Sequence, residues 1–192
     1  LKIGYWSKVI SLDTKKTTGD FNLIKANKYR IIVNKKEYEL PNNLIGHHNY
    51  LNVAAAIAVC SQLKININKQ IKSIGTFKGV QKRMEFIGKF KGVKIYDDFA
   101  HHPTAIKAAI AAVKNKYKNQ KLLTIFLPNS NSMSLGTHDD SLASSLKGSK
   151  NVLIITKSRR LKKLFQNNIK INVIECKSQI GDYLLSNNCF DN

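Results

Sequence analysis

The stretch Gly92–Tyr117, GVKIYDDFAHHPTAIKAAIAAVKNKY, decides how this chain is read. Its first half, VKIYDDF, has the apolar content of a strand. Its second half carries apolar residues at helical spacing. Pro103 falls at the first turn of that helix, where a missing N–H costs nothing. The rhythm continues downstream: KLLTIFL reads as a strand, DDSLASSL as a helix, NVLIIT as a strand, SRRLKKLFQ as a helix and INVIEC as a strand. Strands alternating with helices predict a parallel sheet with helices on both faces. The near-continuous apolar runs suit strands buried on both sides. Just before them, RMEFIGKF and VKIYDDF read as two strands joined at Lys91-Gly92.

Upstream the pattern differs. Residues 1–40 alternate polar and apolar, and FNLIKA, YRIIVN and EYEL read as short antiparallel strands. Pro41 and the two asparagines after it end that pattern. GHHNYLNVAAAIAVCSQL then predicts an Ala-rich helix from His48 to Leu63, and a shorter one follows over Asn68–Ile74. Residues 75–82 read as a linker. A boundary near Val80 divides the chain into 1–79 and 80–192. The fold class is α/β, with the sheet-and-helix alternation in the second part.

Composition narrows the function classes. The chain has 192 residues, 43% of them hydrophobic, and no apolar run near the ~20 residues of a membrane span. The start, LKIGYWSKVI, lacks a signal-peptide pattern. Cys60, Cys176 and Cys189 are odd in number and without CxxC spacing, which argues against a disulfide framework or a thiolate zinc site and fits a cytoplasmic protein. The net charge of +20 invites a nucleic-acid reading. The cations are mainly lysines accompanied by Asn and Ile, so codon bias is favoured over a polyanion surface. Residues 141–173 hold eight Lys or Arg and no acid, expected on a solvated helix face and in loops.

Three places could carry chemistry. In a parallel α/β sheet, ligands bind outside the carboxyl ends of the strands. KIYDDFAHHP is expected there, with Asp97, Asp98, His101 and His102. A carboxylate at that place can accept ribose hydroxyls and an imidazole can contact a base; equally, the Asp can cap the turn and a His can pack under the helix. The adjacent histidine pairs, His47-His48 and His101-His102, diverge along a strand or helix, which disfavours a metal site. The second place is GHHNYLN, where Asn49 and Asn52 share a helix face. An amide donates and accepts, as an adenine edge requires; N-capping by His48-Asn49 is the alternative. The third is Arg83, a guanidinium that could reach phosphates or stay solvated.

Taken in order, GHHNYLNVAAAIA, FKGVQKRMEF, GVKIYDDFAHHPTAI and PNSNSM resemble the Mur ligase family, most strongly from Pro41 to Gly136. The resemblance is nearest to the murein-recycling branch, which joins UDP-N-acetylmuramate to the tripeptide L-Ala-γ-D-Glu-meso-diaminopimelate. The L-alanine-adding branch is the second candidate. It implies a Rossmann-like C-terminal domain over 80–192, preceded by the end of an ATP-binding central domain over 1–79. It implies ATP and Mg²⁺ as cofactors, with Asn49, Asn52, Arg83, Asp98 and His101 at the nucleotide. It places His102, Asn129, Ser130, Asn131 and Met133 toward the peptide. No GxxGK[ST] occurs in these residues, so catalytic groups and Mg²⁺ ligands are expected upstream of Leu1, in the same chain or in a separately encoded N-terminal half. The chain alone is therefore expected to be inactive. It also departs from the family pattern. Leu127 and Asn129 stand where an acid and an arginine are usual, Ser134 replaces a lysine, and Asn188 and Cys189 replace glycines of a turn.

Overall fold

In a computed structural model, which describes residues 9–15, 18–166 and 171–187, the chain divides into two compact units, Leu1–Gly79 and Val80–Asn192. Asn188 and Cys189 lie outside the described residues.

Among the described residues the first unit is a four-stranded sheet covered by helices. Its strands are β1 (Leu12–Asp13), β2 (Phe21–Lys25), β3 (Tyr29–Val33) and β4 (Lys36–Glu39), adjacent in that order. β2, β3 and β4 are antiparallel, as the alternation predicts, whereas β1 runs parallel to β2. Asn34 and Lys35, both at positive φ, form the two-residue turn between β3 and β4; such turns match the right-handed twist of the strands they join. The helices are α1 (His47–Gln62) and α2 (Ile67–Thr76). α1 buries Tyr50, Val53, Ala54, Ile57 and Ala58, a single stripe at helical spacing, against Phe21, Leu23 and Ile31 of the sheet. Its small alanines allow close approach. α1 starts one residue earlier than expected because Gly46 turns the chain at φ 92°, a conformation costly for any residue with a Cβ.

Among the described residues the second unit holds two sheets. β5 (Glu85–Phe90) and β6 (Val93–Asp97) form an antiparallel hairpin. β7 (Leu123–Phe126), β8 (Asn151–Ile155) and β9 (Ile171–Ile174) form a parallel sheet in the order 7-8-9. Between and after them run α3 (Pro103–Lys116), α4 (Asn131–Ser134), α5 (Asp139–Leu146), α6 (Arg159–Phe165) and α7 (Ile180–Ser186). β8 is central, and Val152–Ile155 are all buried, which is why that strand reads as a continuous apolar run. Ile106 and Ile110 of α3, Leu142 and Leu146 of α5, and Leu161 and Phe165 of α6 close over Val152 and Ile154. The expected α/β class, antiparallel strands and helices followed by a parallel sheet, is the architecture seen.

One expectation needs correcting. β5 and β6 pair through Lys91-Gly92 as expected, but KIYDDFAHHP, expected at a carboxyl end of the parallel sheet, follows a strand, β6, that among the described residues pairs with β5 and with no strand of that sheet. Lys94 interrupts its apolar run, and only Tyr96 is half-buried. Such a strand cannot sit between two helix layers, and the turn at Lys91 and Gly92, both at positive φ, folds it back on β5. The hairpin presents Phe90, Val93 and Ile95 on one face, with Ile87 added at a bulge opposite; all four are exposed.

Candidate functional site

The segment after β6 is built around Asp98. Its Oδ2 accepts the Met84 N–H at 2.9 Å and its Oδ1 accepts the Ala100 N–H at 2.8 Å. The Phe99 N–H donates to the Lys82 carbonyl at 2.8 Å. These three bonds tie the end of the hairpin to the residues entering it. Lys82 and Met84 both hold positive φ, 55° and 52°, rare for residues with a Cβ. Backbone in that region persists only where its surroundings over-determine it. Here the Asp98 carboxylate and the burial of the Met84 side chain do so. Arg83 stands between the two strained residues, exposed, and forms no ion pair among the described residues.

The same end of β6 is also pinned, two residues before Asp98, through Tyr96. Its hydroxyl lies 2.5 Å from that of Tyr117 at the end of α3, and the Lys94 ammonium sits 4.4 Å from the Tyr117 ring centre. Burial, followed by the Tyr117 hydrogen bond, pushes the Tyr96 phenol well above its usual range. Held by contacts on either side of Asp97, the Asp98 corner has a fixed direction.

Arg83, Asp98 and His101 therefore share one corner. His101 places Nδ1 2.9 Å from the Phe99 carbonyl, and its ring lies 4.9 Å from the Phe99 ring. Phe99 is 57% exposed. The corner thus offers a carboxylate with unused lone pairs, a guanidinium and two exposed rings. Those groups suit ribose hydroxyls, phosphates and a planar base respectively. Phe99 was not singled out from the sequence, although an aromatic beside a paired-acid motif is a usable signal.

His102 has a different local role. It is the N-cap of α3: Nδ1 accepts the Thr104 N–H at 3.3 Å and lies 2.6 Å from the Thr104 hydroxyl. Its ring meets His138 edge-on at 4.5 Å. The His101 and His102 rings thus engage different partners.

The PNSNSM segment forms α4 and its cap. Ser130 caps it, accepting the Met133 N–H at 3.3 Å, while Asn129 and Asn131 are exposed. Met133 corrects the expectation that it faces a substrate: at 1% exposure its side chain belongs to the hydrophobic core. Arg160 of α6 organises this region. It donates to the Met133 carbonyl at 2.5 Å and the Ser134 carbonyl at 3.3 Å, and pairs with Asp139 at the start of α5. Its partners lie 21 to 27 residues away, so no sequence spacing revealed it. Gly136, at φ 80°, lies against this guanidinium; an added Cβ would sit 2.8 Å from an Arg160 nitrogen.

In the first unit, Asn49 and Asn52 occupy the first turns of α1. The Asn49 amide is buried and donates to the Ile45 carbonyl at 2.8 Å; Asn52 is exposed. Neither His48 nor Asn49 caps the helix, because Gly46 is its N-cap. The His47 ring stacks 5.7 Å from Tyr29, which stacks 3.8 Å from Tyr50.

The second unit thus combines a parallel α/β sheet with a carboxylate–guanidinium–aromatic corner. Residues 82–187, more than half of the chain, match the Mur ligase glutamate ligase domain, and the chain belongs to the Mur ligase family. It is 37% identical over 109 residues to the UDP-N-acetylmuramate–L-alanine ligase of Ruthia magnifica, covering 55% of this chain and 23% of that protein. It is 34% identical over 113 residues to the UDP-N-acetylmuramate–L-alanyl-γ-D-glutamyl-meso-2,6-diaminoheptandioate ligase of Haemophilus influenzae, covering 58% of this chain and 25% of that protein. The crystal structure of the UDP-N-acetylmuramate–alanine ligase of Thermotoga maritima superposes over 90% of this chain and 41% of that one, with a TM-score of 0.73 at 20% identity, a likeness of fold. The chain spans about a quarter of the length of the curated relatives it matches. Among the described residues no helix is long and apolar enough to cross a membrane.

Proposed function

We propose that residues 80–192 form the nucleotide-gripping C-terminal domain, and residues 1–79 the end of the central domain, of a ligase that joins UDP-N-acetylmuramate to an amine in cell-wall metabolism. The observation that carries this reading is the Asp98 corner: a fixed carboxylate beside an exposed Arg83 and the Phe99–His101 pair. Asp98 accepts ribose hydroxyls with the lone pairs its two N–H bonds leave over. Arg83 pairs with phosphate oxygens. His101 and Phe99 lie along the base. Asn49 and Asn52 offer amides to the adenine edge, with one arm of Asn49 already held by Ile45. ATP, when bound, supplies the phosphoryl group that activates the sugar's carboxylate for attack by the amine. Mg²⁺ is the ion this reading pairs with ATP, and none of the residues above is assigned to it. The reaction belongs to the cytoplasm, where ATP is.

The amine is assigned to the murein tripeptide, on the DDFAHHPTAI form and the SNSM segment, with the Asn129–Asn131 loop and His102 toward the peptide. The 37% identity to an L-alanine ligase favours L-alanine as the second reading. A separately encoded N-terminal half would complete the site. The test has two arms. ATP titrated into the chain should shift amide signals of residues 82–101, and Arg83→Ala should weaken that binding about tenfold, the loss of a charge-assisted contact. Co-expression with an N-terminal half should give ligation of UDP-N-acetylmuramate to tripeptide in preference to L-alanine. ATP shifts that ignore Arg83→Ala would overturn the nucleotide assignment; ligation of L-alanine alone would overturn the tripeptide.

A further inference from the structure

A groove of about 630 Å³ runs between α3 and α5, and the reading above does not use it. Lys107, Lys114 and Lys147 line it, and no acidic residue does. All three lysines are exposed and none forms an ion pair among the described residues. Lys107 and Lys114 stand seven residues apart on α3, about 10 Å along its axis at ~1.5 Å per residue, on one side of the helix. The floor between them is apolar, made by the buried Ile110 and by Ala111. α3 and α5 approach closely at one end, where a Cβ on Gly148 would come within 2.8 Å of the Ile110 Cγ2.

The opposite wall decides what fits. Ser141, Ser144 and Ser145 of α5 turn their hydroxyls back onto the carbonyls of His138, Ser141 and Leu142. Their protons are spent, so the wall offers no converging donors for a compact phosphate. The cations are instead spread over two helical turns around an apolar strip. A ligand that matches is long, apolar along one line and acidic on either side. We infer that this groove docks an acidic amphipathic helix of a partner protein, its apolar stripe on Ile110 and Ala111 and its carboxylates on Lys107, Lys114 and Lys147. The net charge of +20 adds long-range attraction for such a partner.

The probe is a fluorescent peptide of about 20 residues, Glu-rich with leucines at alternating three- and four-residue spacing, long enough to hold helical structure on the groove. Its anisotropy with the 192-residue chain should report saturable binding. Lys107→Glu with Lys114→Glu should weaken it about tenfold, by removing two ion pairs and adding repulsion. Lys69→Glu with Lys72→Glu, the same charge change on exposed residues of α2, should weaken it less than about twofold once salt screens long-range terms. Ser144→Trp, which fills the slot without changing charge, should abolish binding. Equal losses from both lysine pairs would overturn the inference, as would indifference to Ser144→Trp or equal binding of a peptide with scrambled leucines. A single-stranded oligonucleotide that bound with the same dependence on Lys107 and Lys114 would assign the groove to nucleic acid and overturn it too.

Discussion

Replacing Asp98 tests whether one carboxylate holds the corner together. Asp98→Ala leaves the Met84 and Ala100 N–H groups without their acceptor in a half-buried place. A hydrogen bond to a charged group contributes about 1.5–3 kcal/mol net. Partial exposure lowers the pair to about 3 kcal/mol rather than twice the upper value. Release of the left-handed strain at Met84 returns a fraction of that, because the freed residue can relax to negative φ. Asp98→Asn keeps one oxygen and turns a donor toward the other N–H, so it should cost about half as much. The sharpest assay is amide exchange. In the Asp98→Ala protein, Met84 and Ala100 should exchange about 100-fold faster, the factor for about 3 kcal/mol, while Leu153 in the central strand keeps most of its protection. Exchange at Met84 and Ala100 within about threefold of the parent chain would refute the reasoning, since the two hydrogen bonds would then carry too little energy to hold the corner.

Other perturbations give independent checks. Gly148→Ala forces a methyl against Ile110 and should cost about 1–3 kcal/mol in urea unfolding, because neither helix can back away without opening the core. Arg160→Lys loses the fork that spans two carbonyls and Asp139, and should destabilise the second unit by about 1–2 kcal/mol while raising exchange in residues 131–139. Burial, then Lys25 and His48, hold the His47 imidazole below the usual histidine range. The unfolded chain then takes up that proton first, so the first unit loses a little stability as pH falls through about 6.5, and no more once pH is below the folded value. An NMR titration should show the lowered value, with Lys25→Ala raising it only partway because burial is the larger cause.

Periodicity made much of this fold readable, and hydrogen bonding accounts for what it missed. NVLIIT announced a strand buried on both faces, and β8 is one, because four consecutive apolar residues suit no half-exposed element. PTAIKAAIAAVKNKY announced α3 through its proline and spacing. The pairing of β6 with β5 was legible at Lys91-Gly92, but not that the hairpin forms a sheet of its own; the signal was Lys94 within VKIYD, which spoils two-sided burial. At the candidate site the residue types were legible and their commitments were not. Asp98 was visible as a carboxylate after a strand, but not as the acceptor for Met84, fourteen residues earlier. Met133 was placed toward the peptide by the resemblance of its PNSNSM segment, yet a short helix turns one side inward and the methionine is on it. Arg160 had no sequence signal, since all its partners are distant in the chain.

The exposed face of the β5–β6 hairpin bears on how this chain behaves as a colloid. Ile87, Phe90, Val93 and Ile95 are sticky, yet a charge of +20 keeps copies apart. That repulsion reaches ~10 Å at 0.1 M salt and only ~3 Å at 1 M. Light scattering should therefore show dispersed chains in dilute buffer and growing particles as salt is added, the opposite of an aggregate held by ion pairs. Ile95→Lys should move the onset to higher salt, whereas an onset unmoved by that change would place the contact elsewhere. Ionic strength then becomes the handle by which this chain is kept in, or driven out of, solution.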